Sequence, residues 1–254
     1  MSVQEADVAL IAGGTSGLGL AVARRLLDGD HRIVLMGRSR ERAEKARAEL
    51  GGEVHVACGD VASPDDVAAA LATAGGLGRL GAVVNCAGSA RSRRVVSSRG
   101  PMPLAEFEDL VRSNLVGTFN LVRLAAEAMI GNIPREDGRG VIVCTSSIAA
   151  YDGQAGQAAY AASKAGVVGM TLPLARDLAR YGVRVVTVAP GLFDTPMFAT
   201  LDEEARRELV AATPFPTRLG RPDEFGGLVE HIVRNPMING EVIRIDGGTR
   251  LGHP

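Results

Sequence analysis

Short β-branched runs alternate with longer amphipathic stretches along the whole chain, and that alternation admits few architectures. The runs Val8–Ala12, Arg32–Met36, Val54–Cys58, Ala82–Asn85, Val141–Thr145, Arg184–Val188 and Glu241–Ile245 read as strands. Most are almost continuously apolar, as strands covered on both faces must be; a sheet with one wet face would alternate. Helical patterns lie between them at about 17–28, 40–50, 64–74, 105–130, 157–180 and 222–234. Parallel neighbours need such crossovers, so the pattern predicts an α/β fold: a doubly wound parallel sheet of about seven strands. No Pro/Gly/Ser linker and no repeat interrupts the alternation, so residues 1–254 are expected to form a single domain.

Composition narrows the function. The formal net charge is −1, so nothing global favours nucleic acid or an anionic membrane. No apolar run reaches the roughly 18 residues of a spanning helix, and MSVQEADVAL lacks the basic and apolar regions of a secretory signal. Cys58, Cys86 and Cys144 are odd in number, widely spaced and without C-x-x-C, which argues against a disulfide framework or a zinc site. The expectation is a cytoplasmic enzyme with a small-molecule substrate, no metal, no nucleic acid and no membrane.

The first strand runs directly into Gly13-Gly14-Thr15-Ser16-Gly17-Leu18-Gly19 and then an apolar helix. Glycines permit a tight turn and let backbone N–H groups approach a pyrophosphate, whose charge then sits at the helix N-terminus. A glycine-rich turn alone is a weak signal, but a strand before it and a helix after it favour a phosphate loop over a plain turn. Asp60, with Val61 beside it after the third strand, reads either as a contact for adenine or as a helix cap ahead of Pro64. The second strand ends Met36-Gly37-Arg38-Ser39-Arg40, where NAD-selective sites place a carboxylate for the ribose 2′-hydroxyl. Gly37 takes that slot here, and a guanidinium beside a hydroxyl, Arg38 with Ser39, suits a 2′-phosphate. NADP(H) is therefore expected ahead of NAD(H), the alternative being that Arg38 and Arg40 merely open a solvated helix.

Tyr160-Ala161-Ala162-Ser163-Lys164 lies in an Ala-rich helical pattern, so Tyr160 and Lys164 are i, i+4 neighbours on one face. A free phenol, with a pKa of about 10, is a poor base at neutral pH, and an adjacent ammonium is expected to lower that value. Ser147, just past the strand Val141–Thr145, is placed to hold a substrate oxygen while Tyr160 exchanges its proton. Y-x-x-x-K is common and usually no more than an exposed aromatic–cation pair. Here, however, only Lys45 and Lys164 among 28 basic residues are lysine, so a plain positive charge is otherwise supplied by arginine.

With these residues in hand, the chain resembles the short-chain dehydrogenase/reductase family, nicotinamide-dependent oxidoreductases of Rossmann type, over its whole length. Gly13, Gly17 and Gly19 match the family's glycine motif, Asn85-Cys86-Ala87-Gly88 its N-N-A-G motif, and Ser147, Tyr160 and Lys164 its catalytic triad. The resemblance implies that Asn114 kinks a long helix and anchors a proton-relay water. It also implies that Pro190-Gly191, Leu192 and Thr195 hold the nicotinamide carboxamide, with Asn85, Ala87 and Gly88 on the cofactor side. Two departures are visible: Ala12 stands where Thr is common before the first glycine, and Cys86 replaces the second Asn of N-N-A-G. Neither removes a reacting group.

The stretches Gly153–Tyr160, Val167–Leu178, Ala189–Pro196 and Asn235–Arg244 are similar to the type 2 3-hydroxyacyl-CoA dehydrogenases, the 17β-hydroxysteroid dehydrogenase type 10 group. This similarity implies a 3-hydroxyacyl-CoA/3-ketoacyl-CoA pair and a place in fatty acid metabolism. It also implies NAD, against the reading of Gly37-Arg38. An NADPH-dependent 3-oxoacyl carrier-protein reductase, a hydroxysteroid dehydrogenase and a non-catalytic NAD(P) sensor or scaffold are the alternatives. The loop Ser89–Met102, with Arg91, Arg93, Arg94 and Arg99, reads as a solvated loop ahead of a CoA-phosphate site; a second long loop runs roughly Leu192–Pro216. The helices at 105–130 and 157–180 carry more apolar residues than one sheet-facing stripe needs, including Val116, Phe119 and Val122. The family pairs these helices across a two-fold axis, so a homotetramer is expected.

Overall fold

The computed structural model describes residues 6–196, 204, 207 and 210–252. Its strands are β1 (Val8–Ala12), β2 (Arg32–Gly37), β3 (Val54–Cys58), β4 (Leu80–Asn85), a short antiparallel pair β5 (Val96–Ser97) and β6 (Gly100–Pro101), β7 (Gly140–Thr145), β8 (Val183–Pro190) and β9 (Val242–Ile245). The helices are α1 (Gly17–Asp28), α2 (Arg40–Leu50), α3 (Pro64–Leu77), α4 (Leu104–Val111), α5 (Gly117–Ile130), α6 (Ala158–Ala179) and α7 (Pro222–Arg234). One seven-stranded sheet, in the order β3-β2-β1-β4-β7-β8-β9 and parallel at every junction, organises the domain.

The near-continuous apolar strands follow from two covered faces. In β1, Val8, Leu10 and Ala12 join the core beneath α3, α5 and α6, while Ala9 and Ile11 join the core beneath α1 and α7. Side chains alternate across the pleat, so a strand covered on both sides has no position left for a polar residue. Phe225, Val229 and Ile232 carry α7 into the second core at the i, i+4, i+7 spacing of a helix face. Val122, expected to be surplus on its helix, is fully buried in the first core beside Leu121 and Ala125. Val116 and Phe119 are the half-exposed residues of that helix.

Three local differences from the sequence pattern have identifiable causes. The helix expected over 105–130 contains a π-turn at Arg112–Val116, joining α4 to α5. There the Thr118 hydroxyl donates to the Asn114 carbonyl at 2.5 Å, and the Asn114 side chain leaves the helix for Ser89. Strand β8 runs on to Pro190 because Ala189 and Pro190 still pair with Arg244 and Ile245 of β9. The β5–β6 hairpin lies inside the arginine-rich loop, where polar composition carried no period to read. Of the loop expected over 192–216, residues 197–203, 205–206 and 208–209 lie outside the described residues.

The strand order reverses between β1 and β4, and there the backbones after the two strands close on each other. The Cys86 N–H donates to the Ala12 carbonyl at 2.7 Å. Gly13 is left-handed, φ +74°, and a Cβ on it would stand 2.6 Å from the Ala87 nitrogen; a Cβ on Gly19 would stand 2.2 Å from the Gly13 carbonyl oxygen. Only glycine permits both approaches. They leave a crevice outside the carboxyl ends of the strands, where open α/β sheets bind ligands.

Candidate active site

The crevice is a cavity of about 650 Å³. Its first wall is the loop leading into α1, with Gly13, Thr15, Ser16, Gly17, Leu18 and Gly19. Next come Arg38 and Ser39 at the end of β2, Asp60 and Val61 after β3, and Ala87 and Gly88 after β4. Pro190, Gly191, Leu192 and Thr195 follow β8, and Thr195 reaches across to Gly17, where a Cβ would touch the Thr195 methyl carbon at 3.4 Å. The N-terminus of α1 opens onto this space, and the glycines leave its N–H groups uncovered by side chains, an arrangement that suits the pyrophosphate of a dinucleotide.

The opposite wall carries Ser147, Tyr160 and Lys164. Ser147 sits in extended conformation at the carboxyl end of β7; its Oγ accepts from the Ala149 N–H at 3.1 Å, and it lines the cavity together with Tyr160. Lys164 is buried one turn along α6, its Nζ donating to the Thr145 carbonyl at 2.9 Å and lying 5.9 Å from the centre of the Tyr160 ring. Ser146 donates to the Lys164 carbonyl at 2.8 Å, which ties helix to strand. Burial pushes the Lys164 ammonium down to about 8. Burial also raises the Tyr160 phenol above its ordinary value, and the nearby Ser147 hydroxyl opposes this. The expectation that Lys164 would lower the Tyr160 pKa is therefore corrected: the ammonium is directed at the strand carbonyl, and in the chain alone desolvation dominates.

Two expected site residues stand behind the cavity rather than in it. Asn85 is buried, donating from Nδ2 to the Thr118 hydroxyl at 2.8 Å and accepting from the Ala87 N–H at 3.1 Å, so it shapes the turn and lines no part of the cleft. Asn114 is fully buried; its side chain brackets the backbone of Ser89 through both N–H and carbonyl at 2.9 Å and donates to the Ser163 hydroxyl at 3.1 Å. Gly88 links the two walls, since a Cβ on it would stand 3.2 Å from Asn114 Oδ1 and 3.4 Å from Lys164 Nζ. Asp60 is not the cap of α3. Its Oδ1 accepts from the Ala62 N–H at 2.9 Å while the residue lines the cleft, and Ser63 caps α3.

Several cleft residues were not foreseen, among them Arg42, Gln154, Gln157 and Leu251. Arg42, one turn into α2, faces the cavity beside Arg38; only the helical period of α2 signals it. Gln154 and Gln157 stand in the turn before Tyr160, where polar residues ahead of an apolar helix were the available signal. Leu251 comes from the C-terminal tail, and nothing local in the sequence marks it. In the arginine-rich loop, Arg91 lines the rim, while Arg93 pairs with Glu106 and donates its backbone N–H to Gly156 at 2.8 Å. Among the described residues no cluster of three or more His, Cys, Asp or Glu could hold a metal ion. Among them, too, no helix is long and apolar enough to cross a membrane.

Comparison with known proteins gives this geometry a context. A sequence model described as short chain dehydrogenase matches residues 7–206. A Drosophila melanogaster protein named 3-hydroxyacyl-CoA dehydrogenase type-2 is 50% identical over 248 residues, 96% of this chain and 97% of that one. The crystal structure of a 3-hydroxyacyl-CoA dehydrogenase type-2 from Mycobacterium avium superimposes with a TM-score of 0.94 at 41% identity, covering 98% of this chain and 97% of that one. An actinorhodin polyketide ketoreductase with NADPH superimposes with a TM-score of 0.85 at 29% identity, covering 98% of each.

The buried ammonium has a measurable signature. Between pH 8 and 9 the folded chain gives up the Lys164 proton, whereas the unfolded chain keeps it to about 10.5. Unfolding therefore takes up protons in that window, and stability rises with pH by at most about 1.4 kcal/mol per unit. Above pH 9 the sign turns, because burial holds the thiols of Cys86 and Cys144 protonated to about 11 and about 12 while unfolded thiols ionise. Melting temperatures at pH 8 and 9 should rise in the wild type relative to Lys164→Met; parallel behaviour of the two proteins would show that Lys164 does not titrate there.

Proposed function

The chain belongs to the short-chain dehydrogenase family, and from that membership we propose that it interconverts a 3-hydroxyacyl and a 3-ketoacyl thioester with Tyr160 as proton donor and acceptor. The observation that carries the reading is the placing of Ser147 and Tyr160 together on the cavity wall, with Lys164 buried one helical turn on and donating to the Thr145 carbonyl at 2.9 Å. The thioester is supported by relatives at 50% and 41% identity that are named 3-hydroxyacyl-CoA dehydrogenase type-2. When bound, the nicotinamide cofactor supplies or takes the hydride. In the oxidation direction Tyr160 takes the alcohol proton on its phenolate oxygen, and Ser147 donates to the oxygen that becomes the carbonyl. Lys164 lines the cleft beside Tyr160 and would hold the nicotinamide ribose. Asn114 holds the backbone of Ser89 and the Ser163 hydroxyl in place behind this wall.

Tyr160→Phe should abolish turnover and leave cofactor affinity nearly unchanged, since the ring still packs and only the hydroxyl is lost. Lys164→Arg should fail as well, because a planar guanidinium cannot reproduce a compact ammonium in a buried slot. Steady-state rates with acetoacetyl-CoA and cofactor titrations check both, and substantial turnover by Tyr160→Phe would sink the mechanism.

NADP(H) is proposed ahead of NAD(H), now through Arg38, Ser39 and Arg42 together, and this keeps a 3-oxoacyl reductase as the second reading. Gly37→Asp should move preference toward NAD, because a carboxylate repels the 2′-phosphate. A Cβ at Gly37 meets the Thr15 methyl carbon at 3.0 Å, so the change is best made together with Thr15→Ser. A wild type that prefers NADH to NADPH tenfold with acetoacetyl-CoA, about 1.4 kcal/mol, would reverse the assignment.

A homotetramer is proposed through the exposed apolar residues of the α4–α5 and α6 faces, Leu104, Phe107, Val116, Phe119 and Leu172. Light scattering at micromolar concentration should give about four times the chain mass; a monomer refutes it.

A further inference from the structure

The segment that follows β9 is fastened to the turn that follows Ser147. After β9 the backbone reverses on Gly247 and Gly248, both left-handed at φ +61° and +80°. A Cβ on Gly247 would stand 2.7 Å from the Thr213 methyl carbon, so the turn is pressed against its neighbour. Thr249 is fully buried, its hydroxyl 2.6 Å from the Asp246 carbonyl and 3.1 Å from the Thr213 hydroxyl. The Thr249 carbonyl accepts from Arg244 at 3.0 Å and from Arg250 at 2.7 Å.

Arg244 is the hub. It pairs with Asp246 and with Asp152, each at 2.8 Å, and stacks 5.0 Å from the centre of the Tyr151 ring. Its side chain is 20% exposed and those of Asp152 and Asp246 are 22% and 9%, so these are screened far less than surface pairs. Tyr151 and Asp152 belong to the turn that follows Ser147, so one guanidinium fixes the tail to the wall that carries the proton-handling residues. Gln154 completes the attachment, its Nε2 donating to the Gly252 carbonyl at 3.5 Å. The segment is thus tied by a charged hub, and Leu251 lines the cavity with Gln154.

We propose that Leu251 is a specificity-determining residue: its side chain bounds the acyl end of the pocket and sets how large a group the site accepts beyond the reacting carbonyl. The inference rests on the thioester reading above. An isobutyl group neither moves protons nor binds phosphate; it gives the cavity wall an apolar surface suited to a hydrocarbon chain, and Ile148 and Ala149 line the same cavity. One extra or missing methylene in such a pocket changes discrimination by tens-fold.

The test is the ratio of kcat/KM for 3-ketodecanoyl-CoA to that for acetoacetyl-CoA in wild type, Leu251→Ala and Leu251→Phe. Leu251→Ala should raise the ratio about tenfold and Leu251→Phe should lower it by a similar factor, with KM for the nicotinamide cofactor unchanged in both. A ratio that stays at the wild-type value in both variants overturns the proposal, as does a matching change in cofactor KM. A wild type that reduces neither thioester overturns the thioester reading instead. The same ratio, read with 2-decanone and 2-butanone, then decides the role of Leu251, and a flat result there removes it.

Discussion

A buried ammonium held at the carbonyl of a strand end is the constraint from which the reacting wall is built. Lys164 is 5% exposed, and a charge in that position is tolerated only where a polar partner meets it. The partner is the Thr145 carbonyl, the last residue of β7, 2.9 Å away. That bond and the Ser146 bond to the Lys164 carbonyl set the height of α6 against β7. Ser147 is the next residue after this anchor, and Tyr160 lies one helical turn before Lys164 on the same face. Strand end and helix face thus bring Ser147 to Tyr160 without either side chain having to reach. A shift of one residue in the strand-to-helix register would leave both groups present and the pair apart.

The opposite wall depends on the absence of side chains. At Gly13 and Gly19 a single carbon would collide with backbone atoms at 2.6 Å and 2.2 Å, so the loop before α1 lies directly on the turn after β4. Cys86 occupies that turn, bonded through its N–H to Ala12, with the Thr145 hydroxyl 3.6 Å from its sulfur. A thiol there makes a weaker bond than an amide does, yet the backbone bond is unaffected, which is why the two departures at Ala12 and Cys86 leave the crevice intact. Gly88 then stands between Asn114 and Lys164, where even a Cβ would meet Asn114 Oδ1 at 3.2 Å and Lys164 Nζ at 3.4 Å and push one of them back.

What was legible in the sequence was whatever depends on local period. Continuous apolar strands gave the covered sheet, the glycine loop gave its crevice, and the four-residue spacing of Tyr160 and Lys164 gave a shared helix face. What depends on long-range approach was not legible. Asn85 matches a motif associated with the cofactor, but its amide is spent on Thr118 and Ala87, and only the fold reveals that. The direction of the Tyr160 shift depends on burial, which the pair's spacing does not report. Arg42 needed the orientation of α2, and Leu251 needed a tail returned across the sheet by Gly247, Gly248 and Arg244.

The proposed preference for a 2′-phosphate shows how discrimination arises as much from what is missing as from what is present. No carboxylate ends β2, so nothing at Gly37 repels a phosphate. Ser39 caps α2 by accepting from the Arg42 N–H at 3.3 Å, and this use of its oxygen leaves the hydroxyl proton free to donate. Arg38 and Arg42 are both exposed at the cavity edge, so neither loses much hydration on meeting an anion, and each brings a planar fork suited to phosphate oxygens. The α2 N-terminus adds its partial positive charge to the same space. An acid introduced at Gly37 must contend with the Thr15 methyl carbon 3.0 Å from its Cβ and with two guanidinium groups ready to pair with it. Those cations hold the new carboxylate away from a ribose hydroxyl, so a single substitution weakens phosphate binding more readily than it creates a strong site for the hydroxyl.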